Sequence, residues 1–209
     1  MRGLRIAEFA SLTGVMLLTA GIVGCRLHLH KDAKGDDKQV QLDTPFGGLH
    51  VDTDQSSASD LGLPAYPGAE LVKGDDKHKS VDVHMGFGEW QMRVRAVSYE
   101  SADSQEKVEE FYKKALARYG GVITCRNHEP VGLPKVTSEG LTCSNDGKAK
   151  IDVDGNGEPT SSDRLELKAG SKRRQHEIYF DKPRNGRSQF VLVSLDLPES
   201  LDTAKSKGD

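Results

Sequence analysis

The chain has 209 residues, and its 29 Lys and Arg residues against 32 Asp and Glu residues give a formal net charge of −3 at pH 7. This near balance provides no global field that would recruit nucleic acid, which excludes nucleic acid as the expected partner. The length suits one domain of ordinary size with flexible ends, and an aromatic share of 6% predicts a modest core.

The first element along the chain is an export signal. Arg2 and Arg5 precede an uncharged run from 9 to 24 that is rich in Leu, Val, Ile, Met, Ala and Gly, and this is the charged-then-apolar order of a secretory signal. Because a membrane-spanning helix needs roughly 20 apolar residues, the run is short for a permanent anchor. An uncleaved signal anchor is the alternative interpretation.

The end of this run, Ile22-Val23-Gly24-Cys25, resembles the lipobox of bacterial lipoproteins. The resemblance implies that the signal peptide 1–24 is removed, that the Cys25 thiol carries lipid, and that the protein is attached to a membrane of the cell envelope. Several acyl chains give durable anchoring, whereas a single chain binds a membrane only marginally. By resemblance to enterobacterial sorting rules, Arg26 in place of Asp after the lipidated Cys implies the outer membrane, facing the periplasm, if the source is Gram-negative.

A tether and a hairpin follow the anchor. Residues 25–38 have little apolar content, which predicts a flexible tether. Val40 and Leu42, then Leu49 and Val51, alternate with polar residues around a Pro-Phe-Gly-Gly turn. Residues 39–60 are therefore predicted to form a short strand hairpin and a linker.

The main domain is predicted over residues 61–197. Its clearest element is a helix, because Asp103 and Glu106 have a capping-box spacing and apolar residues recur every three to four positions from Val108 to Tyr119. Strand-like runs lie near 70–73, 80–86, 90–99, 122–126, 140–145, 149–153, 163–169, 174–181 and 188–196. The predicted fold class is α+β, an antiparallel sheet with one main amphipathic helix packed on it. A signal peptide and flexible tether precede it, and the polar tail 198–209 is expected to fray.

Three segments carry a second resemblance. They are Tyr66-Pro67-Gly68-Ala69, a strand that ends at Tyr99, and Phe111-Tyr112-Lys113-Lys114 on the helix. Together they resemble a domain of uncharacterised bacterial envelope proteins, over roughly the middle third of the chain. This resemblance implies the fold and no reaction.

Two cysteines remain once Cys25 is assigned to lipid. Cys125 and Cys143 would lie in a compartment that oxidises thiols, so we predict a structural disulfide between them. A redox or metal pair is the alternative, but C-x-x-C spacing is missing.

The most specific ligand pattern is an acidic loop. Asp152, Asp154, Asn156 and Asp163 match the spacing of an EF-hand-type calcium loop. Strand-like flanks, Pro159 and the short side chain of Asp163 weigh against calcium, and a polar hairpin loop is the alternative. Ca²⁺ is thus a candidate cofactor, and the sequence requires none.

A second candidate site is basic. Lys172, Arg173 and Arg174, with Arg184 and Arg187 across the next hairpin, are predicted to form a basic end of the sheet. Its anionic partner outside the cytoplasm would be lipid phosphate or a wall polymer. The alternative is solubilising charge at turns, because no aromatic residues interleave with these cations.

The sequence contains no nucleophile-elbow motif, no phosphate-binding loop and no dinucleotide-binding glycine motif. We therefore predict a non-catalytic binding or structural module, tethered to a membrane through Cys25, with an envelope protein or polymer as its further partner. Because catalytic groups can assemble from distant positions, a small envelope enzyme is an alternative, as is a calcium-dependent module.

Overall fold

The computed structural model describes residues 26–31, 37–72, 79–143 and 164–198. The predicted signal peptide with Cys25, the predicted strand at 149–153, the predicted calcium loop and the tail beyond residue 198 lie outside these ranges. The described strands are β1 (Arg26–Lys31), β2 (Asp37–Thr44), β3 (Gly47–Thr53), β4 (Glu70–Leu71), β5 (Ser80–Phe87), β6 (Trp90–Ser101), β7 (Ile123–Arg126), β8 (Glu129–Pro130), β9 (Leu165–Gly170), β10 (Arg174–Arg184) and β11 (Arg187–Asp196). The α-helix α1 spans Gln105–Leu116 and continues as a short 3-10 turn, Ala117–Tyr119.

These strands form one antiparallel sheet in the order β1–β2–β3–β5–β6–β11–β10–β9–β7–β8, and β4 pairs with the far end of β6. Tight turns connect several neighbours; the β10–β11 turn, for example, has positive φ at Asn185 and Gly186, as a type I′ hairpin requires. The predicted α+β class, an antiparallel sheet with one main helix, is confirmed within the described residues. The predicted hairpin at 39–60 is β2 and β3, and β3 pairs with β5 of the same sheet.

Helix α1 packs on one face of this sheet. Val108, Tyr112 and Leu116, spaced by four residues, are fully buried and form the core with apolar side chains of β6, β9, β10 and β11. The helix begins after Ser104, one residue later than the capping-box spacing predicted. Asp103 instead connects the helix to the preceding segment, because its carboxylate accepts hydrogen bonds from the Tyr66 hydroxyl at 2.9 Å and from Lys107 Nζ at 3.0 Å.

Two predicted segments differ from the structure. The stretch 25–38 was predicted to be a tether, but Arg26–Lys31 is strand β1, paired along its length with β2. The exposed backbone edge of β2 supplies hydrogen-bond partners, so β1 needs little buried apolar surface to form. The run 140–145 was predicted to be a strand, but Gly140 to Cys143 form a loop. Its local hydrogen bonds explain this, since Thr137 Oγ1 accepts from the Leu141 N–H at 3.0 Å and the Thr137 N–H donates to the Leu141 carbonyl at 3.0 Å.

Strands β1, β2, β3 and β5 extend the sheet beyond the helix, and we call them the wing. The core cluster beneath α1 contains no described residue of these four strands. The wing therefore carries two faces that the helix does not cover.

Candidate functional site

One end of the wing gathers two hairpin turns and the point at which the chain enters the sheet. Arg26 pairs with Asp43, which lies next to the β2–β3 turn. After that turn, Gly48 pairs with Gly86, which lies next to the β5–β6 turn. These pairs place Arg26, the turn 44–47 and the turn 87–90 at the same end of the wing. We call this end the rim.

The rim exposes aromatic side chains. Phe46 is 84% exposed and Phe87 is 50% exposed. The Phe87 ring lies 5.9 Å from the ring of Trp90, measured between centroids, and Trp90 is the only tryptophan in the chain. Large exposed aromatic side chains that lie together are typical of a surface that contacts a partner or a membrane.

The turn that carries Phe46 is held by one hydroxyl group. Thr44 Oγ1 accepts hydrogen bonds from the Phe46 N–H at 3.3 Å and the Gly47 N–H at 3.1 Å, and it donates to the Gly47 carbonyl at 2.8 Å. Phe46 therefore projects from a turn with fixed geometry, and its ring is not tucked back onto the sheet.

An apolar face continues behind the rim. One row across the wing and β6 consists of residues that are directly paired, namely Leu27, Leu42, Leu49, Met85 and Met92. Leu27 is 60% exposed. Where this face continues onto β6 and β11 it is buried, and Val94, Val191 and Val193 form a second apolar cluster there. The wing is thus apolar on one side from its edge to the middle of the sheet.

The opposite face of the wing is polar. His50 and His84 are paired across β3 and β5, and their neighbours are hydrogen-bonding groups. His50 Nε2 lies 3.4 Å from Asp43 Oδ1, and His84 Nε2 lies 3.0 Å from Gln91 Oε1. The wing is therefore an amphipathic sheet with its polar face on the side that carries the helix.

A different kind of site lies on β9 and β10, where charged side chains are buried. Lys168 is 1% exposed, and its Nζ lies 2.7 Å from Glu166 Oε1 and 3.2 Å from Glu177 Oε1. The Tyr179 hydroxyl donates a hydrogen bond to Glu177 Oε2. These four residues alternate with the core residues of the same strands, so they lie on the face opposite the helix. We call them the ionic cluster.

The electrostatics of the ionic cluster follow from its burial. Burial raises the pKa of the Glu166 carboxyl, the Lys168 cation offsets part of that rise, and the Glu177 carboxylate adds to it. Burial alone would lower the pKa of Lys168, but the carboxylates of Glu177 and Glu166 outweigh it and raise that pKa. Burial and both carboxylates raise the pKa of Tyr179. Lys168 is therefore held as a cation, whereas the raised pKa of Glu166 means that this carboxyl binds a proton more readily than an exposed glutamate does.

An acid and a lysine side by side can serve as a catalytic pair, but a catalytic group must reach its substrate. Glu166, Lys168 and Glu177 are all buried. The ionic cluster is thus suited to fixing the pairing of β9 with β10, and a reacting molecule has no direct access to its charged atoms.

The predicted disulfide lies beside the ionic cluster and is confirmed. The Cys125 and Cys143 sulfur atoms are bonded, with 5.5 Å between the Cα atoms. Cys125 lies on β7, and its strand partner on β9 is Glu166. The bond therefore holds the loop before Cys143 against this side of the sheet.

The predicted basic residues do not come together. Lys172 and Arg173 directly precede β10, which begins at Arg174, whereas Arg184 and Arg187 flank the β10–β11 turn at the other end of the strand. A strand rises about 3.3 Å per residue, so the two groups are roughly 30 Å apart. Arg187 Nε also lies 3.3 Å from Glu100 Oε1, which neutralises part of the second group. The prediction of one basic end is therefore wrong, because the length of β10 separates these residues into two groups at opposite ends of the hairpin.

Asp152, Asp154, Asn156 and Asp163, the predicted calcium ligands, lie outside the described residues. Within the described ranges, no three His, Cys, Asp or Glu side chains converge as a metal-ligand set.

No protein-family model, curated protein or solved structure matches this chain. Across the ranges that the structure describes, no helix has both the length and the apolar character needed to cross a membrane.

Sequence reasoning did not identify the rim. Each of its turns is visible in the sequence as a glycine next to aromatic residues, in Pro45-Phe46-Gly47 and in Phe87-Gly88-Glu89-Trp90. The missing information was the strand register, which places both turns and Arg26 at one end.

Proposed function

We propose that this protein is a membrane-anchored lipoprotein of the cell envelope, attached through Cys25, whose sheet domain is a non-catalytic binding or structural module. The observation that carries the proposal is the lipobox-like sequence Ile22-Val23-Gly24-Cys25 at the end of an uncharged apolar run. Cys25 is directly followed by Arg26, the first residue of β1. A lipid on Cys25 would therefore hold the edge of the sheet at the membrane with no intervening spacer.

The disulfide supports an extracytoplasmic location. Cys125 and Cys143 are bonded, and such bonds persist in oxidising compartments such as the periplasm and the cell surface. In a Gram-negative source, the proposed location is the outer membrane, on its periplasmic side.

The ionic cluster supports a non-catalytic role. Its acid and base groups have shifted pKa values, as active-site groups often do, but they are buried within the β9–β10 pairing. The partner that the domain binds or supports would be an envelope protein or polymer.

Growing cells test the anchor. In cells that express the full chain, we expect the protein in the membrane fraction, and we expect globomycin, which blocks lipoprotein signal removal, to accumulate a heavier precursor. Cys25→Ser should keep its signal peptide without the drug and, because it lacks the thiol, should carry no lipid. A wild-type protein that stays in the soluble fraction, with a size unaffected by globomycin, would contradict the proposal.

A further inference from the structure

The rim combines exposed aromatic side chains with the entry point of the chain. Phe46 and Phe87 are exposed, Trp90 lies against Phe87, and all three belong to the turns beside Arg26. Neighbouring strands lie about 4.8 Å apart, so the rim extends roughly 20 Å from β1 to β6. Aromatic side chains therefore lie in both hairpin turns at this end of the wing.

The direction of the chain places this end next to the anchor. β1 runs away from the rim, starting at Arg26. Arg26 lies in the rim and is the residue that the sequence joins directly to Cys25, whereas the opposite end of the wing is a full strand length away. Whatever holds Cys25 at a membrane also brings Phe46 and Phe87 close to that membrane.

From this arrangement we infer that the rim is a membrane-contact surface, in which Phe46, Phe87 and Trp90 enter the headgroup region of a phospholipid bilayer. This inference rests on the membrane attachment proposed above and adds the orientation of the domain on the membrane. It does not depend on acylation itself, because the apolar run 9–24 of an uncleaved precursor leads to the same residue.

The chemistry of the rim suits the bilayer interface. Tryptophan and phenylalanine are favoured at this depth, where an apolar ring is buried about 5–10 Å into the boundary between headgroups and acyl chains. Leu27 and Leu42 lie directly behind the rim on the apolar face, so insertion would bury a continuous surface. The single positive charge of Arg26 and the single negative charge of Glu89 cancel within the rim, so we expect contact with zwitterionic lipid and no requirement for anionic lipid.

Trp90 makes the inference measurable, because it is the only tryptophan in the chain and lies in the rim. The full chain is extracted from membranes and reconstituted into phosphatidylcholine vesicles, with and without bromine on the upper acyl carbons. We expect a blue-shifted Trp90 emission that the brominated lipid quenches strongly. Emission typical of a water-exposed indole, unquenched by brominated lipid, overturns the inference.

Two variants separate membrane contact from general hydrophobicity. Phe46→Ser removes the most exposed rim aromatic and leaves the Phe87–Trp90 pair in place, so we expect weaker quenching. Leu133→Ser is the matched control, because Leu133 is 87% exposed but lies in the loop after β8, away from the rim. We expect the control to be quenched as strongly as the wild type, and equal loss in both variants argues against rim contact.

The mass of the same samples keeps this inference distinct from the proposed function. Acylated protein whose Trp90 is not quenched supports the lipoprotein assignment and overturns the rim contact. Unacylated protein whose Trp90 is quenched overturns the lipoprotein assignment and supports the rim contact. Protein that is neither acylated nor quenched overturns both.

Discussion

The ring of Phe87 lies over the backbone of Gly47 on the neighbouring strand, and a β-carbon at position 47 would overlap both this ring and the carbonyl oxygen of Gly86. Gly47 is thus the residue that allows the β2–β3 turn and the β5–β6 turn to approach each other. The shape of the rim depends on this close approach.

Gly47→Ala is therefore expected to push Phe87 away and loosen the pairing of β3 with β5. Added volume at a packed position costs about 1–3 kcal/mol, so we expect a loss of this size in the free energy of unfolding, measured with urea. Gly48→Ala is the matched control, because its nearest contacts are the flexible side-chain ends Asp43 Oδ1 at 3.2 Å and His50 Nε2 at 3.4 Å. Equal losses at the two positions would contradict this account of the rim.

Removal of the disulfide should destabilise the fold. Cys125 and Cys143 are 18 residues apart, and closing a loop of this length is worth about 3 kcal/mol in the chain-entropy model. We expect the double variant Cys125→Ser with Cys143→Ser to lose about this amount of unfolding free energy in urea. Wild-type protein unfolded in the presence of a reductant provides the comparison, and it should match the variant; unchanged stability in both would mean that the bond does not constrain the chain.

The ionic cluster predicts a large effect from a single substitution. Lys168→Met leaves the carboxylates of Glu166 and Glu177 buried beside each other without their cation. Breaking a buried ion pair in this way costs about 3–5 kcal/mol, so the urea midpoint should fall sharply. Lys114→Met removes an exposed lysine paired with Glu110 on α1 and should change little. A Lys168 variant as stable as the Lys114 variant would show that the cluster does not stabilise the fold.

The raised pKa of Glu166 predicts a pH dependence of stability. Between the ordinary value of 4.5 and the raised folded pKa, the folded state binds more protons than the unfolded state. The stabilisation that protonated Glu166 gives the folded state is therefore complete below pH 4.5 and is lost as pH rises through the folded pKa. Urea unfolding of wild type and Glu166→Gln across this range should differ in slope, with the wild type losing more stability as pH rises.

Glu110→Gln is the control for that comparison, because the pKa of this exposed carboxyl is lowered by its hydrogen bond with Lys114. The effect of Glu110 on the free energy of unfolding has the opposite sign, because stability is lost as pH falls through its lowered pKa, at pH values below 4.5. If Glu166→Gln and wild type have parallel profiles above that pH, the proton does not reside on Glu166.

Local patterns explain what the sequence predicted well. The helix was readable because Val108, Tyr112 and Leu116 repeat at helical spacing within one segment. The disulfide was predictable by elimination, since assigning Cys25 to lipid leaves a single pair. The class of fold followed from one helix among many strand-like runs.

Long-range pairing explains what the sequence did not predict. Strand β1 forms because β2 offers a backbone edge, and nothing in Arg26–Lys31 alone reveals that partner. The rim depends on the β3–β5 register, which brings residues near 47 and 87 together. The basic residues were grouped as one end although the predicted strand 174–181 already lay between them, and β10 extends three residues further, to Arg184.

The central claim, attachment through Cys25, is tested most directly by the intact mass of the protein extracted from membranes, beside a Cys25→Ser variant. We predict that the wild type begins at Cys25 and carries the added mass of a diacylglyceryl group and a further acyl chain, and that the variant carries neither. A wild-type mass that matches the unmodified polypeptide would contradict the account.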